Sequence, residues 1–89
     1  MWTFDDSRAV GTPHLPSAAM RKYYDWRRLI RDSNIAPKPA AEQVGDLNYK
    51  SLVGAPNQFE IRLNQHHRAT FSVDGSTETV TVYQIGGHT

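Results

Sequence analysis

Phe59-Glu60-Ile61-Arg62-Leu63 alternates apolar with charged residues, and Arg68-Ala69-Thr70-Phe71-Ser72-Val73 resumes the alternation after a short polar loop. A period of two marks a strand with one buried face and one wet face. The loop Asn64-Gln65-His66-His67 is short enough to make the two strands antiparallel neighbours. Asp74-Gly75 then signals a hairpin turn. Glu78 to Ile85 is rich in β-branched residues and completes a meander as its central strand. Leu47 to Val53 allows one further short strand, ended by Gly54 and Pro56.

The first half has a different period. Ala19, Tyr23, Trp26 and Ile30 recur at spacings of four, three and four, which is one face of a helix. Ser17 takes the N-cap position of that helix. Ser33-Asn34 and then Pro37 and Pro39 end it, because proline lacks the amide proton and restrains the residue before it. Residues 34–46 read as a connector, with room for a helical turn at 40–44. Trp2 and Phe4 around Thr3 allow a short strand, and Gly11, Pro13 and Pro16 make a loop after it. The expected architecture is α+β, with an N-terminal helix (or helices) packed on a twisted antiparallel sheet of three to four strands.

Length and composition narrow the function classes. Eighty-nine residues form one domain, 1–89. No apolar run approaches the roughly 18 residues that suggest a membrane span. The absence of cysteine removes disulfides, thiolate metal sites and cysteine nucleophiles. Met1-Trp2-Thr3-Phe4-Asp5-Asp6 lacks the basic and then apolar run of a signal peptide, so a cytoplasmic protein is expected. The formal charge is only +1. The cations nevertheless concentrate on the helix, where Arg21, Lys22, Arg27, Arg28 and Arg31 face only Asp25 and Asp32. Such a basic helix suits a phosphate backbone or an acidic partner protein.

Strand parity carries the sharpest inference. If Ile61, Leu63, Ala69 and Phe71 face the helix, then Glu60, Arg62 and Arg68 share the opposite face of one sheet. His66 and His67 sit at its edge, and His88 follows Gly86-Gly87 just past the last strand. A carboxylate, two arginines and a histidine suit RNA cleavage by 2′-hydroxyl attack. That reaction takes a base for the 2′ proton, fixed positive charge for the phosphorane, and an acid for the departing 5′-oxygen. Arginine matches phosphate oxygens in pairs, and histidine titrates near neutrality. No cofactor or metal is called for. The same residues are equally those of a cross-strand salt bridge on a wet face. Adjacent histidines chelate poorly, and a third and fourth ligand at zinc-site spacing are missing. There is no P-loop, no GxGxxG and no nucleophile elbow.

The order of short motifs in the second half resembles a known family. Leu47-Asn48-Tyr49-Lys50-Ser51-Leu52-Val53-Gly54 leads into Phe59-Glu60-Ile61-Arg62-Leu63-Asn64, then His67-Arg68-Ala69-Thr70-Phe71, then Val80-Thr81-Val82-Tyr83-Gln84-Ile85-Gly86-Gly87-His88. Over roughly residues 47–89 the chain resembles the RelE/ParE superfamily of toxin–antitoxin toxins, especially its RelE- and HigB-like ribonuclease branch. The resemblance implies a RelE-like α+β fold and a toxin that cleaves mRNA on the ribosome, neutralised by a cognate antitoxin. It implies that Arg68 contacts the scissile phosphate, that Arg62 is a second basic group, and that His88 is an acid or phosphate ligand. Lys50 falls where some members carry a catalytic group. Glu60 as base is an inference from chemistry alone. Arg21, Lys22, Arg27, Arg28, Arg31 and His67 would then contact RNA. The competing expectations are a ParE-like gyrase inhibitor without catalysis, a ribosome-independent ribonuclease, and a plain module for acidic peptides.

Overall fold

The computed structural model describes residues 1–11 and 15–87. The chain opens on two short strands, β1 (Thr3–Asp5) and β2 (Val10–Gly11). Two helices follow, α1 (Ser17–Arg31) and α2 (Pro37–Val44), and then β3 (Lys50–Ser51), β4 (Gln58–Arg62), β5 (Arg68–Asp74) and β6 (Thr79–Ile85).

The fold is α+β, as the two periodicities require, but the sheet is larger than three to four strands and is mixed. Among the described residues it has six strands, in the order β1-β6-β5-β4-β3, with β2 also on β6. The meander β3 to β6 is antiparallel. β1 and β2 both run parallel to β6, at Phe4↔Val80 and Val10↔Gln84. A helix-first order is therefore corrected. The N-terminal strands cover the outer edge of β6, a pairing between chain ends that no local pattern announces.

The α1 face is the one its spacing predicts. Ala19, Tyr23, Trp26 and Ile30 are all buried, against Ile61, Leu63, Ala69, Phe71, Val80 and Val82 of the sheet. Trp26 is the centre of this core. Its ring lies 4.7 Å from that of Phe71 and 5.4 Å from that of Phe4, and its indole N–H donates to the Pro37 carbonyl at 3.0 Å. That last bond satisfies the one polar atom that burying an indole leaves to be paired.

Three local readings change. Ser17 is the first helical residue and not a side-chain cap; Pro16 holds the cap position and no side chain caps the helix. Residues 37–44 form a helix and not a connector. Proline stops a helix only from its interior. In the first turn its missing N–H would have had no intrahelical partner, so Pro37 starts α2 and Pro39 is tolerated. The turn after β5 has four residues, 75–78, and β6 begins at Thr79 rather than Glu78. Asp74 Oδ1 accepts from the Ser76 and Thr77 amides, and Glu78 takes a φ of 52° to close the loop.

Candidate active site on the sheet face

The antiparallel register lays polar side chains in rows across the face away from the helices. Lys50 pairs with Glu60, Glu60 with Thr70, and Thr70 with Gln84. One row along, Arg62 stands directly opposite Arg68.

Glu60 is the centre of this arrangement. It is only 3% exposed, whereas a carboxylate on a wet sheet face would be solvated. Its Oε1 lies 3.1 Å from Lys50 Nζ, and its Oε2 lies 3.8 Å from Arg68 Nε. Desolvating a carboxylate is costly unless cations and hydrogen-bond donors surround it. Lys50 and Arg68 supply that charge from the two neighbouring strands. Both keep solvent access, with side chains 53% and 28% exposed. An anion arriving from solvent therefore meets two cations with a buried base between them.

Arg62 is sent elsewhere. Two guanidinium groups facing each other across a strand pair repel. Here each finds a different acid: Arg68 turns to Glu60, and Arg62 Nη2 lies 3.4 Å from Asp46 Oδ1. Asp46, at the end of α2, also meets Lys22 of α1 at 3.4 Å. These cations hold the Asp46 carboxyl below its usual pKa, the Lys22 hydrogen bond most of all. Arg62 thus lines a separate open cleft with Lys22, Asp46, Asn64 and Gln65.

His67 is structural in its contacts. Its Nδ1 accepts the Gly87 amide at 3.0 Å. The Arg68 amide donates to the Gly87 carbonyl at 3.2 Å, and the Gly86 amide donates to the Arg68 carbonyl at 2.7 Å. These three bonds fasten residues 86–87 beside Arg68. His88 lies outside the described residues.

The basic helix is more neutralised than its composition suggests. Arg27 Nη1 donates to Asp6 Oδ2 at 3.0 Å, and its guanidinium carbon lies 4.7 Å from the Tyr24 ring centroid. Arg28 pairs with Asp25 at 3.5 Å, and Arg31 with Asp32 at 3.0 Å. Arg21 is exposed and has no ion pair among the described residues.

One residue on the sheet face escaped the sequence reading. The register of β5 and β6 shifts between Thr70 and Phe71: Thr70 pairs with Gln84 but Phe71 with Val82. Tyr83 is the extra residue of this bulge. The residue is 47% exposed and its hydroxyl donates to Ser72 Oγ at 3.0 Å. The signal was present: core-facing Val80, Val82 and Ile85 step by two and then by three.

No family model matches the chain, and no curated protein does. Among solved structures it is similar to the YoeB dimer from Staphylococcus aureus, at 13% identity and a TM-score of 0.46, over 99% of this chain and 98% of that one. It is also similar to the YoeB–YefM complex from Staphylococcus aureus, at 13% identity and a TM-score of 0.43, over 100% of this chain and 99% of that one. At 13% identity neither likeness carries residue roles across. No helix among the described residues is long and apolar enough to cross a membrane.

Proposed function

We propose that this single domain is the toxin of a type II toxin–antitoxin system, a RelE/HigB-like endoribonuclease that cleaves mRNA on the ribosome by 2′-hydroxyl attack. The observation that carries this reading is the buried Glu60 carboxylate between Lys50 and Arg68 on a solvent-facing sheet. A salt bridge that served only the surface would leave the carboxylate wet.

In this mechanism Glu60 takes the proton from the ribose 2′-hydroxyl. The 2′-oxygen forms a bond to phosphorus, and the bond to the 5′-oxygen breaks. Arg68 lies against the phosphate and meets the negative charge that builds on it. Lys50, on the other side of Glu60, lies 3.1 Å from the base and meets the same phosphate from β3. The acid that returns a proton to the 5′-oxygen is His88, as the family resemblance implies. The products are a 2′,3′-cyclic phosphate and a free 5′-hydroxyl. Arg62, held by Asp46, contributes as a remote cation and not at the phosphate.

The cognate antitoxin, the ribosome and mRNA are the proposed partners, and the cytoplasm the proposed site of action. The test is translation of a defined mRNA with purified protein, followed by mapping of RNA 5′ ends, beside the same RNA without ribosomes. Cuts only in the presence of ribosomes are expected, absent with Glu60→Gln. Cuts in both tubes would make the protein a free ribonuclease. Intact RNA in both would exclude cleavage and favour gyrase inhibition or simple binding.

A further inference from the structure

We infer that Tyr83 is a stacking platform for an unpaired nucleobase next to the scissile phosphate. This inference rests on the ribonuclease reading and adds a substrate subsite to it. Three observations meet at this residue. Tyr83 is the extra residue of the β6 bulge, and a bulge re-aims a side chain that a regular ladder would have fixed. The residue is 47% exposed on the same sheet face as Lys50, Glu60 and Arg68, with no other ring against its own among the described residues. Its hydroxyl is fastened to Ser72 Oγ at 3.0 Å, so the ring is oriented before any ligand arrives.

The spacing suits a nucleotide. Thr70 lies between Arg68 and Ser72 on β5, and Ser72 is about 13 Å from Arg68 along the strand. Tyr83 leaves β6 opposite the Thr70–Phe71 step and reaches Ser72. Its ring therefore stands one or two nucleotides from a phosphate held by Arg68. Aromatic rings hold single-stranded bases by their faces, with little regard to which base is present. The ring would bind the neighbouring nucleotide by its base, and Ser72 would be a positioning residue that holds the ring through its hydroxyl.

The experiment measures cleavage by wild type, Tyr83→Phe and Tyr83→Leu, each confirmed folded by circular dichroism. The substrates are ribosome-bound mRNA and the same mRNA with an abasic nucleotide, placed in turn on either side of the cut. Tyr83→Leu is expected to raise KM at least tenfold with kcat little changed, and Tyr83→Phe to stay within about threefold of wild type. At one of the two abasic positions wild type should fall to the level of Tyr83→Leu, and Tyr83→Leu should lose nothing more. Equal KM for wild type and Tyr83→Leu, or the same penalty on both abasic substrates as on intact mRNA, would overturn the platform while leaving the ribonuclease reading in place. No cleavage by wild type would overturn both.

Discussion

The Tyr23 hydroxyl donates a 2.7 Å hydrogen bond to Asp6 Oδ2, and so ties the buried face of α1 to the loop between the two N-terminal strands. Arg27, one turn further along α1, donates to the same oxygen at 3.0 Å. Partial burial works to raise the Asp6 pKa, but the Tyr23 and Arg27 hydrogen bonds outweigh it and hold the carboxyl below its usual value.

Asp6 should therefore make stability depend on pH. Its folded pKa is the lower one, so its contribution is present above the unfolded value near 3.8 and is lost as pH falls through the folded value. Asp6→Ala leaves the Tyr23 hydroxyl inside the protein without its acceptor, at a cost of about 1–3 kcal/mol. Urea denaturation at pH 7 should show that loss. The gap between wild type and variant should narrow in acid, and a gap that widens below pH 4 would contradict the assignment.

Trp26 should be the residue whose truncation is least tolerated. It is fully buried, touches Phe4 and Phe71, and bonds α2 through Pro37. Trp26→Ala is expected to cost about 3–5 kcal/mol, a large share of the roughly 5–15 kcal/mol that a domain has. Thermal unfolding followed by circular dichroism would check it.

The two arginines of the β4/β5 pair should separate in function. Arg68→Ala is expected to slow cleavage by about 10²- to 10³-fold, as loss of a charge-stabilising donor does. Arg62→Ala, which removes a cation already turned to Asp46, should cost at least tenfold less. Glu60→Gln, close in shape, should stay folded and lose about 10²- to 10⁴-fold, the range of a general base. Rates from 5′-end mapping, read beside melting curves, distinguish these outcomes from misfolding.

The helix arginines should also divide. Arg27→Ala removes the Asp6 bond and the Tyr24 stack and is expected to cost about 1–2 kcal/mol of stability. Arg21→Ala, exposed and unpaired among the described residues, should change stability by less than about 0.5 kcal/mol. If α1 meets RNA phosphates, Arg21→Ala should instead flatten the salt dependence of binding by about one unit of slope. Binding isotherms at several salt concentrations, with melting curves, would separate the two classes.

Periodicity made the centre of the molecule legible. Ala19, Tyr23, Trp26 and Ile30 on one side, and the alternation of β4 and β5 on the other, are local patterns set by burial. The shared face of Glu60 and Arg68 followed from the same parity. What that parity could not supply was depth: it placed Glu60 outward, and the flanking cations that bury it come from a register. Parity also puts Arg62 opposite Arg68, but it does not supply the ion pair with Asp46, which lies just past the end of α2. Pro37 and Pro39 were weighed as stops when their position at a helix start makes them compatible with it. The strand at 10–11, and the partner of the short strand around Thr3, are hard to see for a different reason. Both pairings reach more than seventy residues along the chain, and a parallel ladder leaves no turn to mark it.

That parallel ladder also sets an order of events during synthesis. Thr3–Asp5 pairs with Thr79–Thr81, and Val10–Gly11 with Gln84–Ile85. A ribosome that has made the N-terminal strands must finish nearly the whole domain before either strand finds its neighbour. Long-range pairing of this kind slows folding. The strand β6, which both of them complete, also carries Tyr83 and ends at the glycines fastened beside Arg68. A nascent chain that stops short of β6 would thus lack both the partner of its N-terminal strands and the strand that carries Tyr83.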